Sequence, residues 1–167
     1  AICNLIGLKN LVIHGGGPQI KKKLEAQNIQ SKFILGLRVT DEKVIKIVED
    51  VLLNDINPDL VNTISSFNAV AEPVTARNKN GILKVTKAKN PELGFVADPE
   101  EIDDEKLNSI INSNKVPVIA PMGLGDNNQV YNINADTAAG TIAIKIKAER
   151  LLLMTDVPGV KDEKGSY

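Results

Sequence analysis

The sequence predicts an α/β domain: a three-layer αβα sandwich around a mainly parallel sheet. Short apolar runs at 11–13, 116–121 and 151–154 have the length and composition of buried strands. Stretches with apolar residues at helical spacing lie between them, as in chains that lay helices over a parallel sheet. The first run also passes straight into His14-Gly15-Gly16-Gly17-Pro18, a strand-to-helix junction. Glycines turn sharply with no Cβ to cover their N–H groups, and proline suits the first turn of a helix. In sheets of this kind, ligands gather at the carboxyl ends of the strands.

Composition narrows the function classes. The chain has 167 residues, 43% of them hydrophobic and 25% charged, which suits a packed core with a solvated surface. Lys and Arg number 20 against 21 Asp and Glu, giving a net charge of -1. That balance gives no electrostatic case for nucleic acid or an anionic membrane. Cys3 is the single cysteine, so no internal disulfide or thiolate cluster is available, and a reducing, cytoplasmic setting fits. No apolar run has the length of a membrane span, and no basic-then-apolar leader opens the chain. Ala1 leads into what reads as the tail of a helix, and 162–165 is a turn signal that usually precedes another strand. The chain therefore reads as a piece of something longer.

Taken in order, Ile2, Leu5 and Ile6 mark a short helix ended by Gly7. After the strand at 11–13 and the glycine loop, 18–27 is a helix with a solvated lysine triplet, Lys21 to Lys23. Residues 33–39 form a short strand or loop containing Gly36-Leu37-Arg38-Val39. Thr40 is placed to cap the next helix, with Asp41 and Glu42 in its first turn. Val44, Ile47, Val48, Val51 and Leu52 give that helix one core face. Asn57-Pro58 starts another helix, with Leu60, Val61 and Ile64 turned inward. Residues 69–88 alternate loosely around Asn78-Lys79-Asn80-Gly81 and predict a hairpin, which 93–97 extends. Asp103 or Asp104 caps a helix with Leu107, Ile110 and Ile111. The strand at 116–121 is bracketed by Pro117 and Pro121, which predict an abrupt start and end. A polar turn at 123–129, a helix over 136–148 and a buried strand at 151–154 complete the chain.

The chemistry collects in the loops. The glycine triplet has neither the Gly-Lys-Ser/Thr of a P-loop nor the G-x-G-x-x-G spacing of a dinucleotide fold. An anion site and a plain tight turn both remain open for it. His14, the only histidine, reads as a hydrogen-bonding scaffold residue, because no triad partner is visible. Arg38 carries a planar fork suited to a carboxylate, or to an ordinary surface ion pair. Asn132 and Asn134, two apart in an extended segment, share a face, with Asp136 at the following helix start. The same residues also suit helix capping. The spacing lacks the glycine and distal glutamate of a calcium loop. Thr155-Asp156-Val157-Pro158-Gly159 either cradles a nucleotide or only turns the chain.

Four segments occur together and in order. They are Val12-Ile13-His14-Gly15-Gly16-Gly17-Pro18, Gly36-Leu37-Arg38-Val39-Thr40, Tyr131 through Gly140, and Leu153-Met154-Thr155-Asp156-Val157-Pro158-Gly159-Val160. Leu93-Gly94-Phe95-Val96 and Pro117 through Pro121 fit the same pattern. The combination resembles the amino-acid kinase family, in its acetylglutamate-phosphorylating branch, along nearly the whole chain. The resemblance implies ATP-dependent phosphorylation of the γ-carboxylate of N-acetyl-L-glutamate, a step of arginine synthesis, with Mg²⁺ carried in by the nucleotide. It implies that Gly16, Gly17, Arg38 and Asn132 bind substrate and that Asp136 orients catalytic lysines. It also implies that Asp156, Val157, Pro158, Gly159, Val160 and Lys161 begin the nucleotide site. Residues 1–148 would then be the substrate lobe, with the hairpin insert near 69–97, and 149–167 the start of the nucleotide lobe. The family's Lys-x-Gly-Gly strand is expected upstream of Ala1 and its second catalytic lysine downstream of Tyr167, so these residues alone are expected to be inactive. A homo-oligomer, dimer or hexamer, is implied for the full-length protein. The segment Ala71 to Arg77 departs from the family pattern. A carrier-linked aminoadipate or glutamate kinase of the same fold therefore stands as the alternative, and the missing lysines leave a non-catalytic amino-acid-binding relative as another.

Overall fold

The computed structural model describes residues 2–77 and 81–154. A short helix α1 (Ile2–Leu5) precedes β1 (Val12–Ile13), the glycine loop and α2 (Gly17–Ala26). A small antiparallel hairpin follows, β2 (Phe33–Ile34) and β3 (Leu37–Arg38). Its two-residue turn, Leu35-Gly36, has both φ angles positive (48° and 79°), as primed turns require. Then come α3 (Glu42–Asp50), a π-helical turn (Val51–Ile56) and α4 (Asn57–Ser66). The chain continues through β4 (Val70–Val74), β5 (Leu83–Lys87), β6 (Ala97–Ile102) and α5 (Asp104–Asn112). It ends with β7 (Lys115–Ile119), β8 (Met122–Leu124), β9 (Val130–Asn132) and α6 (Ala135–Lys145).

The strands form a parallel sheet in the order β1-β7-β4 and a mixed sheet in the order β6-β5-β8-β9. Two buried clusters pack the helices against these strands. One gathers Ile20 and Leu24 of α2 with Val44, Ile47 and Val48 of α3 and the π-turn residues Val51 and Leu52. The other gathers Leu107 and Ile110 of α5 and Ala138 and Ile142 of α6 against Val74, Val85 and Ile119. Helices on both faces of a sheet with a parallel core give the expected α/β sandwich. Among the described residues, no helix is long and apolar enough to cross a membrane.

Several local expectations are corrected. The strands at 70–74 and 83–87 do not pair as a hairpin: β4 lies parallel to β7, whereas β5 pairs with β6 and β8. The alternation of each strand reports one buried face, and that pattern does not say which neighbour supplies the cover. Pro117 lies inside β7 rather than at its start. N–H groups alternate sides along a parallel strand. The Ala120 N–H donates to the Val74 carbonyl of β4, so position 117 faces β1. β1 begins its pairing only at Val118, and the missing donor costs nothing. A helix does start at Asn57-Pro58, as expected, and the π turn joins it to α3 without a break. The 123–129 stretch is more ordered than a polar turn, with Met122–Leu124 paired antiparallel to Val130–Asn132. Leu151, Leu152, Leu153 and Met154 form no strand and are exposed, Met154 by 97%. An apolar run becomes a strand only where an edge pairs with it and a layer covers it. Neither lies on it among the described residues.

Candidate functional site

The glycine loop ends β1 and opens α2. Gly16 is the N-cap, with no side chain capping the helix, and Pro18 stands in the first turn. The first-turn N–H groups of α2 thus have no side-chain acceptor and sit at the positive end of the helix dipole. The three glycines have different surroundings. A Cβ on Gly16 would lie 2.7 Å from Leu52 Cδ2 and 2.8 Å from Ile56 Cδ1, so any larger residue must displace both side-chain tips of the π turn. A Cβ on Gly17 would meet nothing within 4 Å. A Cβ on Gly15 would stand 4.0 Å from the Cβ of Ala135, which places the start of α6 beside the loop.

Arg38 crosses to this loop from the β2–β3 hairpin. Its Nη2 donates to the Gly17 carbonyl at 3.3 Å and its Nη1 to the Ser31 hydroxyl at 2.5 Å. The guanidinium carbon lies 4.7 Å from the centre of the Phe33 ring, a cation–π contact with its cross-strand partner. The residue is buried, and desolvation pushes its pKa below the usual arginine value. It stays charged all the same, because arginine holds its proton in proteins. No carboxylate pairs with it among the described residues. A buried, charged fork lacking an anionic partner has the donors to accept one.

Thr40 joins Arg38 to Asn132. It was expected to cap α3, but Asp41 does so, accepting from the Lys43 and Val44 N–H groups at 2.9 Å each. Thr40 is instead fully buried, and its hydroxyl donates to the Arg38 carbonyl at 2.8 Å. The Asn132 amide lies 3.5 Å from the same hydroxyl, at the limit of hydrogen bonding. The backbone at 93–96 passes between the two. Thr40 N–H donates to the Leu93 carbonyl, Phe95 N–H to the Thr40 carbonyl, and Asn132 N–H to the Phe95 carbonyl. Gly94 is held at φ 70° with its missing Cβ directed at the Thr40 carbonyl, which a side chain would strike.

Asn134 caps α6, its Oδ1 accepting from the Thr137 N–H at 3.0 Å. Asp136 follows in the first turn and is exposed. The structure thus brings Gly17, Arg38 and Asn132 into one connected network. It sets the α6 start, which carries Asp136, beside the glycine loop at Gly15. Asp156, Val157, Pro158, Gly159, Val160 and Lys161 lie outside the described residues.

His14 is a scaffold residue, as its position suggested. It is 6% exposed and held on both ring nitrogens. Nδ1 lies 3.0 Å from the Gly15 carbonyl, which only accepts, so Nδ1 carries the proton. Nε2 lies 3.1 Å from Asn57 Nδ2, which also donates to the Val118 carbonyl at 2.9 Å. Burial pushes the His14 pKa down, opposed by the Gly15 carbonyl, so the ring is neutral near pH 7. Asn57 was missed as a site-supporting residue. Its signal is a polar side chain where the helical pattern of 44–64 calls for an apolar one. The Asn57-Pro58 pair instead read as a helix start.

Comparison with known proteins places the chain. The amino acid kinase family is matched over residues 2–167. The chain is 48% identical to an acetylglutamate kinase of Pelagibacter ubique, over 95% of this chain and 54% of that protein. It is 41% identical to an acetylglutamate kinase of Gluconobacter oxydans, over 99% and 60%. The chain therefore spans little more than half the length of the curated relatives it matches. The crystal structure of smu.665 from Streptococcus mutans UA159 superposes with a TM-score of 0.89 at 26% identity, covering 96% of this chain and 65% of that one. An N-acetylglutamate synthase from Neisseria gonorrhoeae, complexed with coenzyme A and L-arginine, shares the fold at a TM-score of 0.71 and 18% identity. With glycine loop, arginine fork and paired helix starts arranged as described, and the family matched along nearly all its length, the chain belongs to the amino acid kinase family.

Proposed function

We propose that the full-length protein transfers the γ-phosphoryl group of ATP to the γ-carboxylate of N-acetyl-L-glutamate. The observation that carries this reading is the buried Arg38 fork, bonded to the carbonyl of Gly17 and tied through Thr40 to Asn132. The relatives named acetylglutamate kinase support the choice of substrate. In this reading Arg38 takes the α-carboxylate bidentately and Asn132 holds the rest of the amino acid. The N–H groups of Gly16 and Gly17 face the transferred phosphoryl group. A γ-carboxylate oxygen attacks the γ-phosphorus, the bond to the bridging oxygen breaks, and ADP leaves with the electron pair. Catalysis of this kind rests on positioning and charge stabilisation. Asp136 orients the lysines that balance the charge, and 156–161 open the nucleotide site. In this reading Mg²⁺ enters on the nucleotide phosphates, where it neutralises charge. The substrate lobe of 1–148, the nucleotide lobe from 149, a homo-oligomeric assembly and a cytoplasmic setting belong to the same proposal.

The Ala71 to Arg77 segment had raised a carrier-linked substrate. It forms β4 and its exit, where Glu72 pairs with Lys115 and Arg77 with Glu49. None of these contacts touches Arg38 or Asn132, so nothing there favours the alternative. The test is ADP release by the full-length protein with ATP and N-acetyl-L-glutamate. Turnover with this substrate is expected; turnover only with a carrier-linked acyl amino acid, or none with either, overturns the reading.

A further inference from the structure

The glycine loop is seated on the π turn at three points. Leu52 and Ile56, from the turn itself, close against the position a Gly16 side chain would fill. Asn57, the next residue, reaches His14 Nε2, and His14 Nδ1 reaches the Gly15 carbonyl. A π turn inserts one extra residue into a helix and re-aims the side chains that follow. Asn57 is 1% exposed, and its Oδ1 has no hydrogen-bond partner. Leaving a buried acceptor unpaired is costly, so Asn57 is a poor choice for stability alone.

We infer that Asn57 and His14 are positioning residues that aim the Gly16 N–H into the substrate site through the Gly15 carbonyl. The inference rests on reading Gly16 and Gly17 as the groups that face the phosphoryl acceptor. A peptide unit is planar and trans, so its C=O and N–H point in opposite directions. The His14 Nδ1–H holds the Gly15 carbonyl toward the core and so turns the Gly16 N–H outward. The Asn57 amide keeps the ring in this state, because its N–H occupies the Nε2 lone pair and leaves the proton on Nδ1. The Val118 carbonyl fixes which end of the amide faces the ring, since only the NH₂ end can donate to it. Without Asn57, the Nε2 lone pair is buried with no donor, and the ring is held at Nδ1 alone. The ring is then free to swing, its grip on the Gly15 carbonyl loosens, and the peptide turns.

The test uses the full-length protein and its Asn57→Leu, Asn57→Asp and His14→Gln variants. Ring nitrogen NMR, with the His14 signals identified by their loss in His14→Gln, is expected to show the Nδ1–H tautomer in wild type. Asn57→Leu is expected to show a weakened Nδ1–H hydrogen bond, displaced Gly16 and Gly17 amide signals, and a fall in kcat/KM of about 10- to 100-fold. The carboxylate of Asn57→Asp accepts from a doubly protonated ring that still donates to Gly15. It is expected to recover kcat/KM to within about fivefold of wild type, an order of recovery that one restored hydrogen bond to a charged group permits. An Nε2–H ring in wild type overturns the inference whatever the variants do. So does a folded Asn57→Leu protein with unmoved glycine amides. If wild type does not turn over N-acetyl-L-glutamate, the substrate reading fails, while the tautomer and amide signals still decide the loop linkage.

Discussion

The two walls of the site are held by different forces. On the loop wall, Gly16 is wedged against Leu52 and Ile56, and His14 is buried between neutral hydrogen-bond partners. Its position is a consequence of core packing. On the arginine wall, a charged fork rests on a two-stranded hairpin, a hydroxyl, one carbonyl and an aromatic face. Phe33 itself is 56% exposed, and Leu35 at the hairpin tip is 97% exposed. The difference teaches what each wall is sensitive to. A change on the loop wall strains the fold; a change on the arginine wall alters what the site can hold.

The largest expected effect breaks the loop wall. Gly16→Val places a branched side chain where two δ-carbons already lie within 2.8 Å of the Cβ position. Its φ of -168° is open to any residue, so the cost is space alone. Overpacking of this kind costs about 3 kcal/mol, read as a lower denaturation midpoint. Gly17→Ala is the control on the same loop. Its Cβ meets nothing within 4 Å, so stability should stay within about 0.5 kcal/mol of wild type. If both substitutions destabilise equally, the wedge is not what distinguishes them.

The next effect belongs to the arginine wall. Arg38→Lys keeps the charge but loses the fork, and with it simultaneous contact to a carboxylate and the Gly17 carbonyl. KM for N-acetyl-L-glutamate is expected to rise about 30-fold, or about 2 kcal/mol, the range for a hydrogen bond to a charged group. Stability should change by less than about 1 kcal/mol, because no buried carboxylate is left without its partner. A stability loss as large as that of Gly16→Val would erase the contrast between the walls.

The same contrast explains what could be read from the chain beforehand. The glycine triplet was legible as a strand-to-helix turn because local chemistry dictates it, while Arg38 stood out only as a fork suited to a carboxylate or to a surface ion pair. The support beneath them was not. Asn57 reaches His14 from the end of a π turn that follows α3, and Leu52 and Ile56 of that turn meet the loop. Thr40 and Asp41 are both good caps by composition; burial of Thr40 between Arg38 and 93–96 decides for Asp41. The runs at 116–121 and 151–154 look alike in sequence. The first is flanked by β1 and β4 and becomes a strand, while the second stays exposed. Partners far along the chain decide such cases, and periodicity does not encode them.

The smallest effect is a pH dependence that isolates the loop wall. His14 sits below its ordinary pKa of 6.5, chiefly because burial penalises the charged ring, with the Gly15 carbonyl opposing. Above pH 6.5 the ring is neutral folded and unfolded, and no penalty applies. As pH falls below 6.5, the unfolded chain takes up a proton that the folded chain refuses. Stability is therefore lost on acidification, with a slope of at most about 1.4 kcal/mol per pH unit until the folded ring also protonates. The shifted carboxylates, Asp50 and Glu101, are moved down from 3.8 and 4.5 chiefly by Asn54 and Lys84 respectively, so they act at lower pH. Denaturant titrations of wild type and His14→Gln between pH 5 and 7.5 separate the contributions. The variant is expected to lose the slope in this window while Arg38→Lys retains it. A slope that survives in His14→Gln would mean that acid sensitivity comes from elsewhere in the fold, and that the buried ring is not the titrating element of the loop wall.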